Sequence, residues 1–121
     1  MLRTSHLLLI SFTLGTFGLA LAFDPARGAE AYVGTWATDA AQCKAGQEEE
    51  NAPLIMKARR YDQHETHCDF TSVQQAGSKW RVKARCSVEG DKQAFDFTFS
   101  VAGSRLTVSG KGGKRTYRRC P

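Results

Sequence analysis

The chain has 121 residues, 17 basic and 12 acidic side chains for a formal net charge of +5, and four cysteines. That length holds one small domain, too small to rest on its apolar core alone. The charge is too mild to specify a polyanionic partner.

In chain order, the first feature is a leader. Arg3 precedes an uncharged apolar stretch from Leu7 to Ala22, and Ala20-Leu21-Ala22 offers the small residues a signal peptidase needs. The expected cut lies before Phe23, with a second site after Ala31. The stretch is shorter than the ~20 residues that span hydrocarbon, and Gly15, Thr16 and Gly18 dilute it. We therefore expect residues 1–22 to be a signal peptide, 23–31 a tail, and 32–121 a single domain without a transmembrane span. Export puts the cysteines in an oxidising compartment, periplasmic or secreted, where two disulfides are the default.

Tyr32 to Thr38 reads as a first strand, and Asp39 as the cap of one helical turn reaching Cys43. Lys44 to Pro53, with Gly46 and Glu48-Glu49-Glu50, reads as a mobile loop. Leu54 to Ala58 and the residues around Tyr61 give one or two further strands. From Lys79 the chain alternates with period two. Trp80, Val82, Ala84, Cys86 and Val88 share a face, as do Phe95, Phe97, Phe99 and Val101, then Leu106 and Val108, then Tyr117. The expected fold is all-β: a small antiparallel up-and-down barrel, or a strongly curled meander, of seven or eight strands with two disulfides.

Turn chemistry sets the registers. A turn on Gly90-Asp91 places Cys86 opposite Phe95 and Val82 opposite Phe99. A turn on Gly103-Ser104 places Val101 opposite Leu106, and one on Lys111-Gly112 places Leu106 opposite Tyr117. A three-residue loop Ala76-Gly77-Ser78 brings Cys68 opposite Cys86. Three pairings of four cysteines are possible, and this register selects Cys68–Cys86, which leaves Cys43–Cys120.

Gly34-Thr35-Trp36 resembles the Gly-x-Trp on the first strand of lipocalins and related calycin-like barrels. The likeness implies that Trp36 plugs one barrel end beneath a basic residue of the last strand, where Arg115, Arg118 and Arg119 stand. The chain also resembles small exported bacterial proteins of unknown function that open with Gly-Thr-Trp-Ala and close with Tyr-Arg-Arg-Cys, here Tyr117 to Cys120; that likeness carries no activity. A weaker similarity is to periplasmic inhibitors of secreted metalloproteases. It implies that the tail Phe23 to Glu30 enters a protease cleft, although the second cysteine pair departs from that family.

Among possible sites, His64-Glu65-Thr66-His67-Cys68-Asp69 is densest in metal-ligating groups. However, Cys68 is assigned to a disulfide, and His64 and His67, three apart on a strand, point to opposite faces. No metal or cofactor is expected. Arg81, Lys83 and Arg85 form an outward stripe, with Arg85 expected between Asp69 and Asp96. A denser basic group, Lys111, Lys114, Arg115, Arg118 and Arg119, marks the C-terminal hairpin as a candidate surface. The aromatics that nucleic-acid readers expose among such charges are committed inward here, so nucleic acid is not an expected partner. No nucleophile elbow, spare cysteine or phosphate-binding glycine motif is present, so the chain does not read as an enzyme. The expected role is an exported, monomeric binding module for a protein partner, such as an inhibitor of a secreted or periplasmic hydrolase. The alternatives are a carrier of a small apolar ligand and a factor binding anionic polymers through the basic hairpin.

Overall fold

Eight strands follow one another around a closed antiparallel barrel. They are β1 (Gly34–Ala37), β2 (Leu54–Lys57), β3 (Arg60–Gln63), β4 (Thr66–Ala76), β5 (Lys79–Val88), β6 (Asp91–Ala102), β7 (Arg105–Gly110) and β8 (Gly113–Arg119). This is a computed structural model, and it describes Gly18 and residues 30–121. The expected leader, its cleavage site and residues 23–29 of the expected tail lie outside the described residues. No helix among the described residues is long and apolar enough to cross a membrane.

Both disulfides form as expected from the registers. Cys68 and Cys86 sit directly opposite each other on β4 and β5, with Cα atoms 4.0 Å apart. Cys43 and Cys120, 77 residues apart in sequence, tie the turn after β1 to the end of β8. Disulfides of this kind belong to an oxidising environment outside the cytoplasm.

The hairpins at Gly103-Ser104 and Lys111-Gly112 keep the expected registers, with Val101 opposite Leu106 and Leu106 opposite Tyr117. Two other hairpins differ. Between β4 and β5 the turn is two residues, Gly77-Ser78, with Ala76 opposite Lys79. The residue this frees is absorbed in a bulge between Phe70 and Ser72, where the Thr71 hydroxyl donates to the Lys83 carbonyl at 3.2 Å. That is why Cys68 still meets Cys86.

Between β5 and β6 the turn is Glu89-Gly90, not Gly90-Asp91. Both residues have positive φ, 50° and 89°, the conformation that matches a two-residue turn to strand twist. Val88 then pairs with Asp91, Val82 with Phe97 and Trp80 with Phe99. The pairing slips by two residues, which leaves every side chain on its expected face.

One end of the barrel is closed by groups from before β1. Tyr32 is fully buried, and its ring meets Trp80 and Phe99 edge-on with centroids 5.3 Å away in each case. Its hydroxyl donates to the Ala58 carbonyl at 2.7 Å. Burial, with the nearby Glu30 charge, pushes its phenol up to about 12. Trp36 is also fully buried, and its indole N–H donates to the Tyr32 carbonyl at 2.8 Å. The Arg119 guanidinium lies 4.2 Å over that indole and donates to the carbonyls of Val33 and Ala31. Gly34 is required beneath it. Its φ is +149°, and a Cβ there would collide with the Arg119 guanidinium.

The loop from Lys44 to Pro53, expected to be mobile, is tied down. The Gln42 amide donates to the Ala52 carbonyl and its oxygen accepts from Thr38, while Gln47 reaches Pro53. The turn ahead of it is a single 3-10 turn, Gln42–Lys44, whose first amide donates to the Asp39 carboxylate at 2.8 Å.

Candidate functional site

Unequal strand lengths leave runs paired on one side only, on β4 beyond β3 and on β6 beyond β7. β6 runs for 12 residues and β7 for 6. The pairing of β6 with β7 covers only Phe97 to Ala102, so Asp91 to Asp96 has β5 on one side and no strand on the other. The amide directions along this segment follow from one bond. Val101 N–H reaches the Ser78 carbonyl on the β5 side. Peptide groups alternate along a strand, so Lys92, Ala94 and Asp96 turn their N–H and C=O groups away from β5. Lys92, Ala94 and the Asp96 N–H form a hydrogen-bonding edge, while the Asp96 carbonyl lies against Gly110 at the end of β7.

Above this edge the barrel interior is only half covered. Phe99 is fully buried, whereas Phe97 and Phe95 are partly exposed. The three rings form a stacked column, Phe95 to Phe97 at 5.6 Å and Phe97 to Phe99 at 6.0 Å, with Tyr61 against Phe97 at 5.8 Å. The column leads from the closed end to the free edge.

Two hollows flank the edge on the outer face. One, of about 820 Å³, is lined by residues including Arg81, Lys83, Asp96 and Lys111. The other, of about 520 Å³, is lined by residues including Arg60, His67, Asp69, Arg85, Ser87 and Lys92, with Ala94 at its edge. Because of the two-residue slip, Arg85 lies between Asp69 and Ala94 rather than between Asp69 and Asp96, and Lys83 faces Asp96 instead. The short side chains of Ser87 and Ala94 leave the floor of the second hollow open between the longer Arg85, Lys92 and His67.

The acidic groups nearby are already engaged. Arg60 bridges Asp62 at 2.9 Å and Asp69 at 2.8 Å, and His67 Nδ1 lies 2.6 Å from Asp62. Burial alone would raise the Asp62 carboxyl, but hydrogen bonds from Arg60 and then His67 hold it below its ordinary value. A depressed carboxylate contributes stability that is whole above its unfolded value of ~3.9 and is lost as pH falls through the lower folded value. The stability advantage of the native chain over Asp62→Asn should therefore be whole above the unfolded value and shrink as pH falls through the lower folded one. Chemical denaturation across that range measures it, and a difference unchanged by acid would refute the arrangement.

The dense ligand segment does not assemble a metal site among the described residues. His64, at positive φ in the turn after β3, contacts the Gln47 carbonyl at 3.1 Å through its ring, while His67 faces Asp62. The candidate basic surface is divided by strand alternation. Arg115 and Arg119 share the face of buried Tyr117, and Lys114 and Arg118 share the opposite one. Arg119 is occupied by Trp36 and two carbonyls, as described above.

Sequence reasoning missed the edge residues Lys92, Ala94 and Asp96. The signal was the unequal length of the alternating runs, nine residues from Gln93 to Val101 against three from Leu106 to Val108. Compared with known families, curated proteins and solved structures, the chain matches none.

Proposed function

We propose that this protein is a binding module of an oxidising compartment that holds an extended segment of a partner protein along the free edge of β6. The observation that carries this reading is the run Asp91 to Asp96, paired on one side only. A guest strand satisfies the outward amides of Lys92, Ala94 and Asp96 and lays alternate side chains on Phe95, the mode by which sheets recruit extended peptides. Inhibition of an exported hydrolase is one service such capture performs, since a held segment is withheld from its other contacts.

The test combines a displayed library of extended peptides with amide exchange. In the free protein the amides of Lys92, Ala94 and Asp96 are expected to exchange fast, and a selected peptide should protect all three. Ala94→Pro removes the central donor and should abolish capture while leaving the β-sheet spectrum and unfolding midpoint within ordinary surface limits. Protection confined to the loop between β1 and β2 would refute the reading.

A carrier of a small apolar ligand draws on a different observation. The buried Trp80 indole N–H has no hydrogen-bond partner. Tyr32 packs edge-on against Trp80 at 5.3 Å, however, and Trp36, Met56, Phe99 and Leu106 are buried in the same core. A ligand reaching that N–H would alter Trp80 fluorescence in a Trp36→Phe background.

A further inference from the structure

We infer that the segment held on β6 is acidic on its outward face, with carboxylates at the positions opposite Ala94 and Lys92. This rests on capture at the β6 edge and names the chemistry of the guest. In an antiparallel guest, the residues opposite Lys92, Ala94 and Asp96 project to the outer face, the same side as the two hollows.

The guest residue opposite Ala94 stands roughly 5 Å from it, and Arg85 stands on the far side of Ala94 in the same cross-strand row. Alanine is too short to separate them, so a carboxylate there lies over the floor formed by Ala94 and Ser87, facing Arg85 and Lys92. The next outward guest residue lies opposite Lys92 itself. Neither Arg85 nor Lys92 makes an ion pair among the described residues, because Arg60 and His67 are the groups that engage Asp62 and Asp69. Asp69 lines the same hollow and faces Arg85 across β4, but it is held by Arg60, so Arg60, Arg85 and Lys92 stand there against a single carboxylate.

At the third position the charge is balanced differently. Asp96 shares its hollow with Lys83 and Lys111, so the guest residue opposite it needs no charge. On the inward side, the guest residue next to Phe95 meets a partly exposed ring and should be apolar. Read from N- to C-terminus, the guest is neutral, apolar, acidic, variable, acidic.

A second copy of this chain matches this pattern less well. Antiparallel β6 against β6, centred on Ala94, pairs Lys92 with Asp96 of the other copy twice but sets Ala94 against Ala94, which leaves both Arg85 side chains unanswered. A protein partner with acidic residues at alternate positions is the better occupant.

The experiment uses the full mature chain and two fluorescent peptides of this pattern, one with glutamate and one with glutamine at both acidic positions. The glutamate peptide is expected to bind at least tenfold more tightly at low salt, and the advantage should shrink as salt rises. Arg85→Gln with Lys92→Gln should erase the advantage while the glutamine peptide keeps its affinity. Ala94→Pro should abolish binding of both. Equal binding of the two peptides to the native chain would overturn the acidic-guest inference and leave edge capture standing. Binding of neither would overturn both. Sedimentation showing a dimer that Asp96→Lys disrupts would assign the edge to a second copy and overturn the inference.

Discussion

Replacing Cys43 and Cys120 together by alanine is expected to lower the unfolding free energy by about 4.5 kcal/mol. The bridge encloses 77 residues, and loop-closure entropy grows with the logarithm of that length. The Cys68–Cys86 bridge encloses 18 and should contribute about 3 kcal/mol. A single domain has about 5–15 kcal/mol in total, so the first loss consumes much of it. Urea unfolding of the two double variants should rank them in this order. The opposite order would show that the unfolded chain keeps structure around β1 and β8.

The second large effect is at the closed end. Trp36→Ala should cost about 3–5 kcal/mol from lost burial and the cavity left behind. It also strips the Arg119 guanidinium of the ring beneath it, adding about 1 kcal/mol. The Tyr32 carbonyl loses its donor, although Tyr32 keeps its bond to Ala58. A comparison within the protein isolates the polar part. Trp36→Phe removes a made hydrogen bond, whereas Trp80→Phe removes an indole N–H that has no acceptor. The first should cost about 1–3 kcal/mol more than the second, because an unsatisfied buried donor is a liability rather than a contact. Equal costs would mean that Trp80 has a partner in solution.

Much of the barrel was legible in the sequence, and the reason is parity. Trp80, Val82, Phe97 and Phe99 reveal which face they occupy by alternation alone, and so do Leu106 and Tyr117. The disulfide pairing followed from that alternation, because Cys68 and Cys86 lie on the same face and near a turn. Parity does not fix absolute register, however. A turn on Glu89-Gly90 and one on Gly90-Asp91 satisfy the same apolar pattern, and only backbone geometry distinguishes them.

The candidate site depends on that undetermined quantity. With the expected turn, Arg85 would face Asp96 and be neutralised across the strands. With the observed one it faces Ala94, and a cation stands beside an open floor. The edge itself was hidden for a related reason: the sequence shows that β6 is long but not where β7 ceases to accompany it. Tyr32 was assigned to the first strand, whereas it lies ahead of β1 and turns inward as a stopper. Nothing in a period-two pattern reports a side chain that enters from outside the sheet.

The seam between the first and last strands carries a consequence for biogenesis. β1 is clasped by β2 and β8, and its lid is held by Arg119 at the end of β8. Synthesis delivers β1 long before β8, so the cylinder stays unsealed until β8 has emerged. Cys43 and Cys120 flank this same seam, so the appearance of their bond in a pulse-chase is expected to follow the joining of β1 to β8.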